Sequence, residues 1–306
     1  MSAPESPIAD APSKFVGRRS RARKIVIGFL CAGLLAMVLN LVVGGVLIAP
    51  SQCRLVAPVT HGFALEPVEF PSASGATIKG WLVPANDSKG VIILMHGVHA
   101  NRATMLGRVP FLHAAGYTVL LFDFQAHGES AGRHITFGWL ESRDAAAAVT
   151  FARQKCPGEK IAALGVSLGG ASALLAQPPL AVDAMIVESA YPTIEQAVED
   201  RLAIRLGPWG KFAAPLLTWQ MRPRLGIGVE DLCPIRQAAH ITVPKFFMAG
   251  DLDRHTTAEE SQALFAAASA PKQLWIVKGA GHEDLHAFAP DSYEKQVLEF
   301  LGRNLQ

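Results

Sequence analysis

Cysteine is scarce: four residues in 306, at Cys31, Cys53, Cys156 and Cys233. No two stand at a metal-binding spacing, and their scatter is not that of a disulfide-stapled domain. A Cys156–Cys233 bridge would need an oxidising compartment, and two unpaired thiols are the simpler expectation. Charge is sparse as well, at 18% of residues with a net of +2. That balance excludes a nucleic-acid surface, an acidic tail and a chain kept unfolded by its own charge. Internal repeats are absent, and low complexity is confined to the Pro-, Ser- and Ala-rich stretch from Met1 to Phe15, where disorder is expected. The basic excess is local, in Arg18, Arg19, Arg21, Arg23 and Lys24.

What the chain has in quantity is hydrophobic residues, half of the total. The run from Ile25 to Ala49 carries no charge and only Asn40 as a strongly polar residue. At about 1.5 Å per residue such a helix crosses the roughly 30 Å hydrocarbon core of a bilayer. The run is longer than the apolar region of a cleaved signal, about 7–15 residues, and no small-x-small cleavage pattern follows it. Pro50-Ser51-Gln52-Cys53 also lacks the apolar and small residues of a lipoprotein site. The expected organisation is therefore a cytoplasmic basic tail (1–24), a transmembrane anchor (25–49), a linker (50–65) and one domain (66–306). Positive charge before the span places that domain on the far side of the membrane, periplasmic in a bacterium.

Within the domain, Val68–Phe70 and Thr77–Val83 read as an antiparallel pair turned by Ser74-Gly75. Apolar runs at 91–97, 117–124, 160–167, 184–190, 243–251 and 272–279 then alternate with helical stretches at 108–115, 140–155, 168–176, 258–268 and 292–301. Runs of this kind are strands buried on both faces, so the fold class is α/β, a mostly parallel doubly wound sheet. Ligand-handling groups of such sheets gather at the carboxyl ends of the strands. Residues 192–233 break the rhythm; their Trp209, Phe212, Trp219 and Met221 suggest a short helical insert placed as a lid, or aromatics that only pack it down.

The chemistry-bearing motif is Gly165-Val166-Ser167-Leu168-Gly169, between an apolar run and a helical one. Glycines at these positions permit a tight strand-to-helix turn that exposes the serine hydroxyl, which marks Ser167 as a candidate nucleophile. A serine needs a base to take its proton. His282, in Gly279-Ala280-Gly281-His282 after the last strand, is the candidate, with His286 as its rival. The base needs a carboxylate to orient it. Asp251 and Asp253 both follow the strand ending at Gly250, and Glu188 ends the strand before that.

These residues resemble the α/β-hydrolases, in the branch of serine aminopeptidases and monoacylglycerol lipases, over about Val68 to Gln306. Met95-His96-Gly97-Val98 resembles that branch's His-Gly oxyanion segment. Asp123-Phe124-Gln125-Ala126-His127-Gly128-Glu129-Ser130 resembles its D-x-R-G-x-G-x-S loop, with His127 where Arg is commoner. The resemblance implies Asp253, three residues beyond the glycine, as the acid, and the backbone N–H groups of Val98 and Leu168 as the oxyanion hole. His96, Asp123 and His127 are expected to brace loops, and Asp144 to face solvent or cap local structure.

One motif points to a different class. His282-Glu283-Asp284-Leu285-His286 spells the zinc-hydrolase pattern, which needs both histidines on one helix face and a third ligand such as Glu294 or Glu299. The Gly-Ala-Gly lead-in argues for a loop there instead. A non-catalytic binding module is the remaining alternative, against which the intact Ser, Asp and His set speaks. The expected reaction is acyl transfer to water from a carboxylic ester, acyl lipids included, with amides and thioesters as alternatives. It needs no cofactor and no metal, and the expected partners are the acyl substrate and the bilayer.

Overall fold

The computed structural model describes residue 3, residues 14–60 and residues 62–305, with side chains from residue 23 onward apart from these gaps. It divides into two units, Met1–Gly45 and Val46–Gln306. The first is built on one helix, α1 (Lys14–Leu47), which includes the basic cluster. Most of residues 1–15, expected to be disordered, lie outside the described residues. From Arg23 to Leu47 the helix is long and apolar enough to cross a membrane. Its Phe29, Leu34 and Leu35 are exposed, which water alone would not favour.

Among the described residues the second unit has ten strands: β1 (Ser51–Gln52), β2 (Glu66–Pro71), β3 (Thr77–Val83), β4 (Val91–Met95), β5 (Thr118–Phe122), β6 (His127–Gly128), β7 (Ile161–Val166), β8 (Ala184–Glu188), β9 (Lys245–Gly250) and β10 (Lys272–Val277). Eight form one sheet in the order β10-β9-β8-β7-β4-β5-β3-β2. The β2–β3 and β3–β5 pairs are antiparallel and the others parallel. β4, β5, β8 and β9 are buried along their whole length, so consecutive side chains serve opposite faces. Ile93 and Met95 join one core and Ile92 and Leu94 the other.

The helices of this unit are α2 (Val109–Ala114), α3 (Trp139–Lys155), α4 (Leu168–Leu175), α5 (Ile194–Leu206), α6 (Gly210–Thr218), α7 (Met221–Leu225), α8 (Pro234–Ala238), α9 (Ala258–Ala267), α10 (Leu285–Phe288) and α11 (Pro290–Asn304). Ala148 and Ala152 of α3, Leu174 of α4 and Leu264 of α9 fill the first core. Leu112 of α2 and Val297, Phe300 and Leu301 of α11 fill the second. Each fully buried Leu or Ile contributes about 1.5–3 kcal/mol. Helices on both faces make the doubly wound arrangement expected from the strand pattern.

The six expected parallel strands were read one or two residues too long at their carboxyl ends, whereas Thr77–Val83 matches as read and Val68–Phe70 was read short. The apolar pattern continues through His96-Gly97 and Phe124, but the backbone has already turned into the loops that carry polar groups. The insert is helical, α5 through α7 with short 3-10 turns, and packs through Ile194, Ala197, Met221 and Leu232 against Ala171 and Leu175 of α4. Residues 50–65, read as linker, begin with β1, whose Ser51 and Gln52 pair in parallel with His127 and Gly128. A two-residue strand has no periodicity to betray it. None of the four cysteines is bridged.

β7 passes into α4 with no connecting loop. A Cβ on Gly165 would overlap the Gly169 backbone, and one on Gly169 would overlap Met95 of β4. Gly169→Ala should therefore cost about 1–3 kcal/mol through overpacking. A thermal unfolding midpoint equal to that of the parent chain would show that this crossing has slack.

Candidate active site

Ser167 stands between β7 and α4 with φ 50° and ψ −108°, a backbone conformation that side chains rarely take. Holding it costs roughly 1–3 kcal/mol, met by the surrounding structure. Its N–H donates to Glu188 O at 2.8 Å, and its carbonyl accepts from Ala171 N at 2.9 Å. The hydroxyl makes no hydrogen bond among the described residues. It lines a cavity of about 410 Å³ whose wall also includes Gly97, Val98, Arg201, His255 and His282.

His282 lies in the loop after β10. Its Nδ1 is 2.7 Å from Asp253 Oδ2, while Asp253 Oδ1 accepts from His255 N at 2.8 Å and Thr256 N at 3.0 Å. Burial alone would raise the Asp253 pKa, but the His282 hydrogen bond and charge, with the two amides, hold it below the ordinary carboxylate range. A carboxylate so held fixes the ring to which it is bonded. Asp251 is turned elsewhere and accepts from Gly279 N at 2.6 Å. His286 leaves the cavity altogether: its Nε2 meets Glu294 Oε1 at 2.9 Å and its ring packs near Phe111 and Tyr293.

The structure thus brings Ser167, Val98 and His282 to one cavity, holds Asp253 against His282, and places Leu168 at the first turn of α4. In that turn the Leu168 N–H has no partner within the helix. The Val98 N–H takes part in no turn or loop bond among the described residues. Two such donors beside the Ser167 hydroxyl can receive a developing negative oxygen.

The groups behind the cavity brace its loops through hydrogen bonds. His96 accepts from Phe124 N at 3.1 Å through Nε2 and donates from Nδ1 to Gly97 O at 2.7 Å. Burial, then the neighbouring His127 charge, lowers its pKa to about 3, so the ring is a neutral brace. Asp123 accepts from Arg102 N at 2.7 Å and Glu129 N at 2.8 Å and pairs with the Arg102 guanidinium, which also reaches Glu129. His127 Nε2 accepts from His99 N at 3.2 Å. Asp144 does not face solvent. It is fully buried, bonded to Ser72 Oγ at 2.6 Å and Gln125 N at 2.9 Å, and burial raises its pKa to about 7. A polar run on α3 gave no sign that this turn faces the loop after β5.

The zinc pattern at 282–286 lacks its helix. Only Leu285–Phe288 is helical, and His282 and His286 bond to different carboxylates. Among the described residues, Asp253, His255 and His282 do bring ligand-type atoms within 4.8 Å of one another. Asp253 and His282 are already bonded together there, so a metal would compete with their acid–base pairing.

Three residues escaped the reading of the sequence. His255 packs its ring 5.0 Å from that of His282. Arg201, on α5, reaches the cavity from the insert. Arg108, 1% exposed, pairs through Nη2 with Glu188 Oε2 at 2.9 Å and Asp284 Oδ1 at 2.8 Å, and its Nε meets Tyr293 Oη at 2.9 Å. Tyr293 donates in turn to Glu188. This ties the end of β8, beside Ser167, to the loop bearing His282. The sole hint was an arginine inside an apolar helix start, Arg108-Val109-Pro110-Phe111-Leu112.

The class is now defined: this is the α/β-hydrolase fold, with a serine elbow, an Asp–His pair and two free amides at the strand ends. Comparison with known proteins agrees on the fold. The model of the family described as serine aminopeptidase, S33 matches residues 86–233. The Bacillus subtilis protein YqkD is 27% identical over 238 residues, covering 76% of this chain and 77% of its own. A polyketide transferase, grgF, from Penicillium sp is 27% identical over 283 residues, covering 78% of this chain and 96% of its own. Among solved structures, the Pyrococcus furiosus esterase Pf2001 superposes with a TM-score of 0.70 at 24% identity, covering 85% of this chain and 99% of its own.

Arg108→Met would leave Glu188 buried without its cation, at an expected cost of about 3–5 kcal/mol. The double change Arg108→Met with Glu188→Gln should recover much of that. Unfolding midpoints for both would decide, and equal losses in the single and double variants would refute the pairing argument.

Proposed function

We propose that this protein is a membrane-anchored serine hydrolase that cleaves carboxylic esters through an acyl-enzyme. The observation that carries the reading is a serine at a positive-φ elbow sharing a cavity with a histidine whose far nitrogen is held 2.7 Å from a buried carboxylate. Ser167 Oγ attacks the ester carbonyl as His282 Nε2 takes its proton, and Asp253 stabilises the resulting imidazolium. The carbonyl oxygen, now negative, lies against the N–H groups of Val98 and Leu168. Collapse of the tetrahedral intermediate expels the alcohol, which receives the proton from His282. Water then repeats the sequence on the acyl-enzyme and frees the acid. The Oγ–Nε2 hydrogen bond forms with substrate bound, as such bonds in empty sites tend to be long.

The anchor is α1, left uncleaved, with the basic cluster cytoplasmic and the catalytic unit on the far side. Such a tether favours acyl lipids as substrates. Leu206, Trp209, Phe212, Leu216 and Trp219, all exposed on the insert, add an apolar surface suited to them. The name of the Pyrococcus furiosus relative, an esterase, supports ester cleavage. Amide cleavage by the same triad is the second reading, favoured by the aminopeptidase description of the matching family model.

A fluorophosphonate probe applied to the membrane fraction should label the parent chain, with or without chelator, and leave Ser167→Ala unlabelled. Asp253→Asn should keep the fold and lower kcat by about 10⁴-fold, the scale seen when a triad acid loses its charge. An unlabelled parent chain, or ester hydrolysis abolished by chelator, would overturn the serine mechanism. A reporter fused after Gln306 and active only in the cytoplasm would refute the orientation.

A further inference from the structure

Two arginines reach the cavity that holds Ser167 and His282, and they differ in how their charge is met. Arg108 faces carboxylates on both sides, Glu188 at 2.9 Å and Asp284 at 2.8 Å. Arg201 has no carboxylate within ion-pair distance among the described residues. Its Nη1 donates to two backbone carbonyls, Ala197 O at 2.8 Å and His255 O at 3.2 Å. Those bonds fix the direction of the guanidinium. The remaining N–H groups have no protein partner and are not sealed from the cavity. Partial burial of such a cation costs free energy that no salt bridge returns.

Asp200, Asp253 and Glu260 lie near enough to attract the Arg201 charge, but none forms an ion pair with it among the described residues. Asp253 is committed to His282 and to two amides. Glu260 accepts from Thr257 N at 2.8 Å, and burial, with the nearby Asp200 carboxyl, pushes its pKa up to about 7. The same cavity wall contains Ser189, 4% exposed and strained at φ 45°, whose buried hydroxyl has no hydrogen-bond partner. A cation with open donors and an unsatisfied hydroxyl therefore stand in the same enclosure as the candidate nucleophile.

We infer that Arg201 is an anion subsite, and that the substrate is an ester carrying a second, free carboxylate. The guanidinium fork receives the two carboxylate oxygens and completes the ion pair that the protein leaves open. A substrate held there by one end has its other carboxyl, the esterified one, confined to the cavity with Ser167. This rests on the serine-hydrolase reading and narrows its substrate class.

The test uses the full-length chain in detergent and two esters of equal acyl length, the p-nitrophenyl half-ester of glutaric acid and p-nitrophenyl valerate. The acid ester should be preferred in kcat/KM by about ten- to a hundredfold, the scale of a hydrogen-bonded charge, and the preference should reside in KM. Raising the salt concentration should shrink it. Arg201→Gln should bring the ratio of the two esters close to one, whatever the change in either rate, and Arg201→Lys should retain part of it. Arg222→Gln, at an exposed ion pair with Glu230 elsewhere on the insert, should leave the ratio unchanged. Equal kcat/KM in the parent chain, or a ratio unmoved in folded Arg201→Gln, would overturn the inference while the hydrolase reading stands. Turnover can be bypassed: monomethyl glutarate should bind Ser167→Ala by calorimetry and fail to bind Ser167→Ala with Arg201→Gln. No binding to Ser167→Ala would overturn the inference even if neither ester is cleaved and the probe does not label.

Discussion

The passage from β7 into α4 is the constraint on which the rest of the catalytic unit depends. The strand is buried on both faces and the helix packs directly on the sheet, so no loop separates them. Only residues without a Cβ fit at Gly165 and Gly169, and the strain falls on Ser167. Because the Ser167 N–H is tied to Glu188 O on β8, the elbow is locked to the neighbouring strand. The hydroxyl is thereby pushed into the cavity, and the first amide of the helix is left without an internal partner beside it.

Around this elbow the structure divides its polar groups into those with every partner supplied and those with some left open. His96, Asp123, His127, Asp144 and Arg108 belong to the first kind, and each holds a loop or strand end in one position. Such satisfied networks keep buried charge tolerable and make the loops rigid. The second kind includes the Ser167 hydroxyl, the Val98 and Leu168 amides, the free edge of Arg201 and the Ser189 hydroxyl. The proposed acyl transfer and anion subsite are built from these groups.

Much of this was legible in the chain itself. Uninterrupted apolar runs marked the central strands because a strand covered by helices on both sides cannot alternate. Glycines two residues either side of Ser167 marked the elbow, and a glycine-rich lead-in marked the loop of His282. Less legible were features made by a few residues from distant segments. Asp144 looked like one more charge on an amphipathic helix, and it is buried because α3 happens to face the turn after β5. β1 is two residues long and exists only because His127 and Gly128 offer it an edge.

The sequence by itself determined the elements, their order and the chemical types at the strand ends, because burial and turn geometry are written in local patterns of apolar residues and glycine. It also determined that the first helix is long and apolar enough to cross a membrane, since that depends on composition alone. Which of Asp251 and Asp253 meets His282, which histidine reaches the cavity, and which arginines carry paired charge were decided only by the tertiary structure. Those outcomes turn on distances of a few ångströms between segments that folding brings together, and Arg108, Glu188 and Asp284 are too far apart in sequence for any local pattern to encode their pairing.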